Sequence, residues 1–128
     1  MILVDTSIWI EFLKQSPDFI HDMESLLESK QVITIEPIFS ELIYGSRNEN
    51  EKRMILAYWK VLPRIKFNEG SFLEAANFAN AYNYQKVGIG LIDAILTKAT
   101  IENKHLIWTL DKKILSNLDI QFQYKWIK

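Results

Sequence analysis

Cysteine is absent from the chain. No disulfide framework, thiolate zinc site, iron–sulfur cluster or cysteine nucleophile is available to it. That absence fits a reducing cytosol. Histidine is scarce: His21 and His105 are the two, and neither has a second histidine at metal-ligand spacing. Only four glycines and three prolines occur, and they are scattered. The chain therefore reads without a linker, a low-complexity tract or an internal repeat. No uncharged stretch approaches the ~20 residues of a membrane span. Asp5 also interrupts the apolar opening before it could serve as a signal peptide. The expectation is a soluble, cytoplasmic protein with no membrane contact. Neither sign of charge prevails, with 15 Lys and Arg against 16 Asp and Glu. Net charge exerts no global pull toward nucleic acid.

What is present is ordinary for a globular domain: 128 residues, 48% of them hydrophobic and 24% charged. That length implies one domain over residues 1–128. Ile2–Val4 is a short apolar run that ends at Asp5. Spacing of three and four then takes over through Ile8, Phe12 and Leu13, with Thr6 or Ser7 able to cap the helix. Asp5 is an alternative cap. Ser16-Pro17 opens a second helix, whose apolar face carries Phe19, Ile20, Met23, Leu26 and Leu27. Val32–Ile35 is β-branched and reads as a strand. Pro37 starts a third helix that Gly45 ends.

Asn48 to Leu62 reads as a helix stopped by Pro63, and Ile65–Phe67 as a short strand. Glu69 to Val87 reads as one long helix, and Leu91 to Lys104 as another. His105–Thr109 is a buried-type strand, followed by one or two helical turns over Asp111–Leu118. Ile120, Phe122, Tyr124 and Trp126 alternate with polar residues, which predicts a final strand with one buried face. Lys125 and Lys128 form a solvated basic tail. Strands alternating with helices predict an α/β domain, its mainly parallel sheet flanked by helices.

In such sheets, sites form at the carboxyl ends of the strands. Asp5 directly follows the first strand, and Asp111 closely follows the HLIWT strand. Glu41 lies one turn inside the helix after the second strand. Asp93 sits near the start of LIDAILTKAT, between apolar neighbours. Acids in apolar surroundings are costly without a partner. A carboxylate cluster lacking a dedicated base calls for a cation, and oxygen donors suit Mg²⁺ or Mn²⁺. Taken singly, each acid also reads as a cap or a surface charge. Setting the four aside leaves 15 basic against 12 acidic side chains. That mildly basic remainder, with Arg47, Lys112 and Lys113 near the acids, is compatible with a phosphate backbone.

The segments MILVDTSIWIEFL, EPIFSELIYGSR and GLIDAILTKATIENKHLIWTLDKKI resemble the PIN-domain ribonucleases, above all the VapC-type toxins of toxin–antitoxin pairs. The resemblance covers nearly the whole chain. It implies a PIN-like three-layer α/β fold and a metal-dependent endoribonuclease. Asp5, Glu41, Asp93 and Asp111 fall on the family's four acidic positions and would hold Mg²⁺ or Mn²⁺. Thr6, Ser7 and Thr109 match its supporting hydroxyls. Arg47 and Lys112 are candidate RNA contacts. Many relatives carry another acid where this chain has Lys113, which bears on whether a second metal ion binds. The resemblance further implies hydrolysis of RNA by activated water, leaving a 5′-phosphate and a 3′-hydroxyl. Its implied partners are an RNA substrate, with tRNA a candidate, a cognate antitoxin protein and a second copy in a homodimer. An apolar groove near the second to fourth helices would receive the antitoxin.

Two other readings compete. One is a non-catalytic PIN scaffold binding RNA or protein. The other is an aspartyl-phosphate enzyme, which wants Asp-x-Asp where this chain has Asp-Thr-Ser. His21 and His105 read as surface and structural. Trp9 and Trp108 read as core, and Tyr58 and Trp59 as candidates for a dimer or antitoxin surface.

Overall fold

A computed structural model describes residues 1–126; Ile127 and Lys128 lie outside the described residues. Among the described residues, three strands form a parallel sheet in the order β2-β1-β3. They are β1 (Ile2–Val4), β2 (Val32–Ile33) and β3 (Leu106–Trp108). Ile2 pairs with Val32 on one side and Leu106 on the other, and Val4 pairs with Trp108. The central strand is buried on both faces, which explains its uninterrupted apolar sequence.

Among the described residues, seven helices accompany the sheet: α1 (Thr6–Leu13), α2 (Pro17–Glu28), α3 (Glu36–Tyr44), α4 (Glu49–Val61), α5 (Ser71–Ala81), α6 (Leu91–Glu102) and α7 (Lys112–Asn117). Asp5 itself caps α1, its carboxylate accepting the Thr6 N–H at 2.7 Å. Thr6 and Ser7 stand inside the first turn instead, because extended backbone ends only at Asp5. Asn48 caps α4 in the same way. Trp9, Ile8, Met23, Ile38, Ile55, Ile107 and Trp108 are almost fully buried together. Trp9 meets Phe39 and Tyr58 at 5.3 Å, so Tyr58 belongs to the core edge. His21 is exposed, and His105 lies 3.2 Å from the amino terminus.

Three expected elements differ. The helix expected over 69–87 breaks at Asn83, which adopts φ 57°; a 3₁₀ turn, Tyr84–Val87, follows. Asn tolerates that left-handed conformation better than most residues. The expected strand Ile65–Phe67 reduces to a single bridge between Thr34 and Arg64. There the chain turns away through Gly70 to deliver α5. The expected final strand is a 3₁₀ turn, Ile120–Phe122, and one bridge between Ile107 and Gln123. Asp119 accepts the Gln121 N–H and starts that turn. Even so, Phe122, Tyr124 and Trp126 pack on the core while Ile120 is exposed.

Candidate active site

Parallel strands send their carboxyl ends to one edge, and each following helix starts there. The helix before a parallel strand runs antiparallel to it, so its first turn reaches the same edge. Asp5 follows β1, Asp111 follows β3, and Asp93 lies in the first turn of α6. Glu41 comes from the middle of α3, which packs on α1.

Asp5 is buried. Its Oδ2 accepts the Thr109 hydroxyl at 2.6 Å and the Ser7 hydroxyl at 3.2 Å. Burial raises its carboxyl above the ordinary range, the three hydrogen bonds oppose that, and Asp111 adds repulsion. Ser7 Oγ also accepts the Leu110 N–H at 3.2 Å, and Thr109 Oγ1 accepts the Asp111 N–H at 3.0 Å. Two hydroxyls therefore lace the end of β1 to the loop after β3. Thr6 plays a different part: its hydroxyl donates to Glu41 Oε1 at 3.0 Å and joins α1 to α3.

Asp93 completes the group electrostatically. Desolvation, then repulsion from Asp5, Asp111 and Glu41, pushes its carboxyl up to about 6, against a lesser opposing pull from Lys113. None of the four acids forms an ion pair among the described residues. Arg47 pairs instead with Glu51 at 2.9 Å and borders a cavity of about 180 Å³ that also reaches Glu41. Lys112 is exposed at the start of α7.

The donor set is all oxygen: four carboxylates braced by hydroxyls, with no imidazole or thiolate. That chemistry fits a hard divalent cation. Among the described residues, however, no three such side chains are gathered closely enough to hold an ion as they stand. A cation would have to draw the carboxylates inward, against the mutual repulsion that burdens Asp93.

One feature was not read from the sequence, and one lies elsewhere than expected. The first is the Thr6–Glu41 hydrogen bond, which depends on the packing of α1 against α3. The other is a groove of about 1140 Å³ running from Glu41 past Tyr44, Trp59, Phe67, Phe72 and Leu73. It lies between α3, α4 and α5 and leaves α2 aside. Trp59 forms part of its wall, with the Arg64 guanidinium 3.4 Å above the ring.

The PIN domain family profile matches residues 2–120. The chain belongs to the PIN domain family. Its fold is similar to that of VapBC2 from Rickettsia felis bound to a DNA fragment from their promoter. There the TM-score is 0.73 at 17% identity, over 96% of each chain. A toxin–antitoxin complex from Klebsiella pneumoniae is similar at TM-score 0.73 and 13% identity, covering 97% of this chain and 100% of that one. No curated protein matches significantly in sequence. The PIN fold thus agrees with the expected class, a mainly parallel sheet with helices packed around it.

Proposed function

We propose that this PIN protein is a Mg²⁺- or Mn²⁺-dependent endoribonuclease and the toxin of a toxin–antitoxin pair. The observation that supports the reading is that Asp5, Asp111 and Glu41 all bear electrostatically on Asp93, with no ion-paired base on the four acids among the described residues. When bound, the divalent cation supplies Lewis acidity, which activates water and neutralises phosphate charge. The four carboxylates would hold it. Thr109 and Ser7 fix the orientation of Asp5, and Thr6 fixes Glu41. Burial of Asp5 keeps bulk water off one side of the site. No side-chain nucleophile is called for. One of the solved structures of similar fold is described as a toxin–antitoxin complex, which favours a cognate antitoxin as partner. The groove edged by Tyr44 and Leu73, 95% and 77% exposed, is an apolar surface open to the antitoxin or to a second copy in a homodimer. No helix among the described residues is long and apolar enough to cross a membrane.

The test is cleavage of total RNA and of a tRNA pool by the purified protein with Mg²⁺ or Mn²⁺. EDTA and Asp5→Asn are the controls. Discrete cleavage lost in both controls is expected. Undiminished cleavage by Asp5→Asn would sink the assignment. Neither cleavage nor metal binding would instead favour the non-catalytic scaffold, whereas metal binding without cleavage would point to a substrate missing from the pool.

A further inference from the structure

Arg64 follows Pro63 just beyond α4 and is half-buried. Its guanidinium carbon lies 3.4 Å from the centre of the Trp59 ring, and Nη2 donates to the Trp59 carbonyl. Indole and carbonyl hold the guanidinium in place without neutralising it: Arg64 forms no ion pair with any described residue. Lys66 is exposed and likewise has no carboxylate partner among them. Both cations line the groove of about 1140 Å³, together with Trp59, Phe67, Phe72 and the exposed Tyr44. Glu36 and Glu69 line it too, yet neither pairs with them. Closing the last turn of α4 occupies one N–H of Arg64 and leaves the rest of its donor fork unused.

The groove adjoins the acids. Its lining includes Glu41 and also Ile92, the chain neighbour of Asp93. The other cavity described at Glu41 is about 180 Å³, below the roughly 300 Å³ at which ligand pockets begin. A polymer with one phosphate at the acids must lay its neighbouring units along an adjoining surface. Aromatic rings and a guanidinium plane both accept bases face to face, and cations attract the phosphates between them. Only unpaired bases offer their faces in this way. An apolar peptide would leave both cations unmet. We propose that the groove binds a single-stranded RNA segment flanking the scissile phosphate, with Tyr44 and the Trp59-supported Arg64 as its base-stacking residues. This rests on the nuclease reading above.

The experiment is fluorescence anisotropy at low ionic strength, in EDTA, so that binding is read without cleavage. The probes are a labelled single-stranded RNA of mixed sequence and the same RNA annealed to its complement. Wild type, Tyr44→Ala and Arg64→Lys are compared, with folding checked by circular dichroism. Tyr44 is 95% exposed, so its replacement leaves the core untouched. Wild type should prefer the single strand. Each variant should lose about fivefold or more in affinity for it. Arg64→Lys should do so with an unchanged salt dependence, because the charge is kept and the plane is lost. No RNA bound by wild type, equal affinity for the two RNA forms, or wild-type affinity in either variant would overturn the inference. So would a Tyr44→Ala variant that dissociates a dimer in sedimentation without weakening RNA binding, which would give the groove to a second copy. Metal-dependent cleavage by wild type would leave the nuclease reading standing in each of these cases. Groove binding with neither metal binding nor cleavage would sustain the RNA site and bring down the nuclease reading instead.

Discussion

Asp93 is half-buried, and its carboxylate receives no hydrogen bond from the described residues, whereas Asp5 receives three. Its carboxyl, pushed up to about 6, lies above the 3.8 taken for the unfolded chain. The folded state therefore binds more protons between those values. Without metal, the Asp93 contribution to stability falls as pH rises from about 4 through 6, then levels off. Asp93→Asn should remove that slope and stabilise the metal-free protein above pH 7. The gain would be on the order of 1 kcal/mol, after discounting for solvent screening. Thermal melts in EDTA from pH 4 to 8 check this, and a variant as pH-dependent as wild type would contradict it. Thr109→Val bears on the same network from the opposite side. It keeps shape but deletes the 2.6 Å hydrogen bond to Asp5. Loss of such an orienting partner typically costs 10–100-fold in metal affinity, and Mn²⁺ titration should find a loss of that order.

At the scale of elements, the loop between α5 and α6 sets the local geometry. Asn83 and Gly88, both at positive φ, bracket the 3₁₀ turn. Together they aim α6 so that Asp93 arrives among the other acids. Gly88→Ala places a Cβ at φ +82° and presses on the Lys113 stem. A loss of about 1 kcal/mol or more in stability is expected from the backbone alone. Urea unfolding measures it; an unchanged midpoint would mean the loop relaxes freely. The helix break was legible, since Asn is a common left-handed stop. It was missed because the surrounding Ala and aromatic spacing stays helical on both sides. The two missing strands have a different cause. Alternation in 120–126 correctly predicts that Phe122, Tyr124 and Trp126 pack on the core. Trp126 stacks on Phe19 at 4.6 Å, and Tyr124 meets Trp108 at 5.0 Å. Alternation reports which face is buried, though, and not whether a neighbouring strand offers hydrogen bonds along the whole length.

For the whole molecule, the groove beside Glu41 concentrates exposed apolar side chains near the candidate site. If a second copy covers this face, Leu73→Glu should shift the protein to monomer in sedimentation equilibrium. The variant's melting temperature at low concentration should stay close to wild type, since Leu73 is already 77% exposed. Monomeric wild type would remove the homodimer from the reading.

The three paired strands, the helices α1 to α4, α6 and α7, the buried central strand and the positions of Asp5 and Asp111 just past β1 and β3 were legible in the sequence. Each is a local property: apolar period, capping chemistry, or position relative to a strand end. Tertiary structure alone decided how the acids relate to one another. Thr6 serves Glu41 while Ser7 and Thr109 serve Asp5, because α3 packs on α1 and β3 pairs with β1. Arg47, by contrast, turned to Glu51 four residues on, a local contact of the kind that spacing in the sequence can offer. Lys113 came to lie against Gly88, in the loop before α6. Sequence spacing determines which residues a helix or strand presents. Which charges then meet depends on packing between elements far apart in the chain, and local pattern carries no record of that.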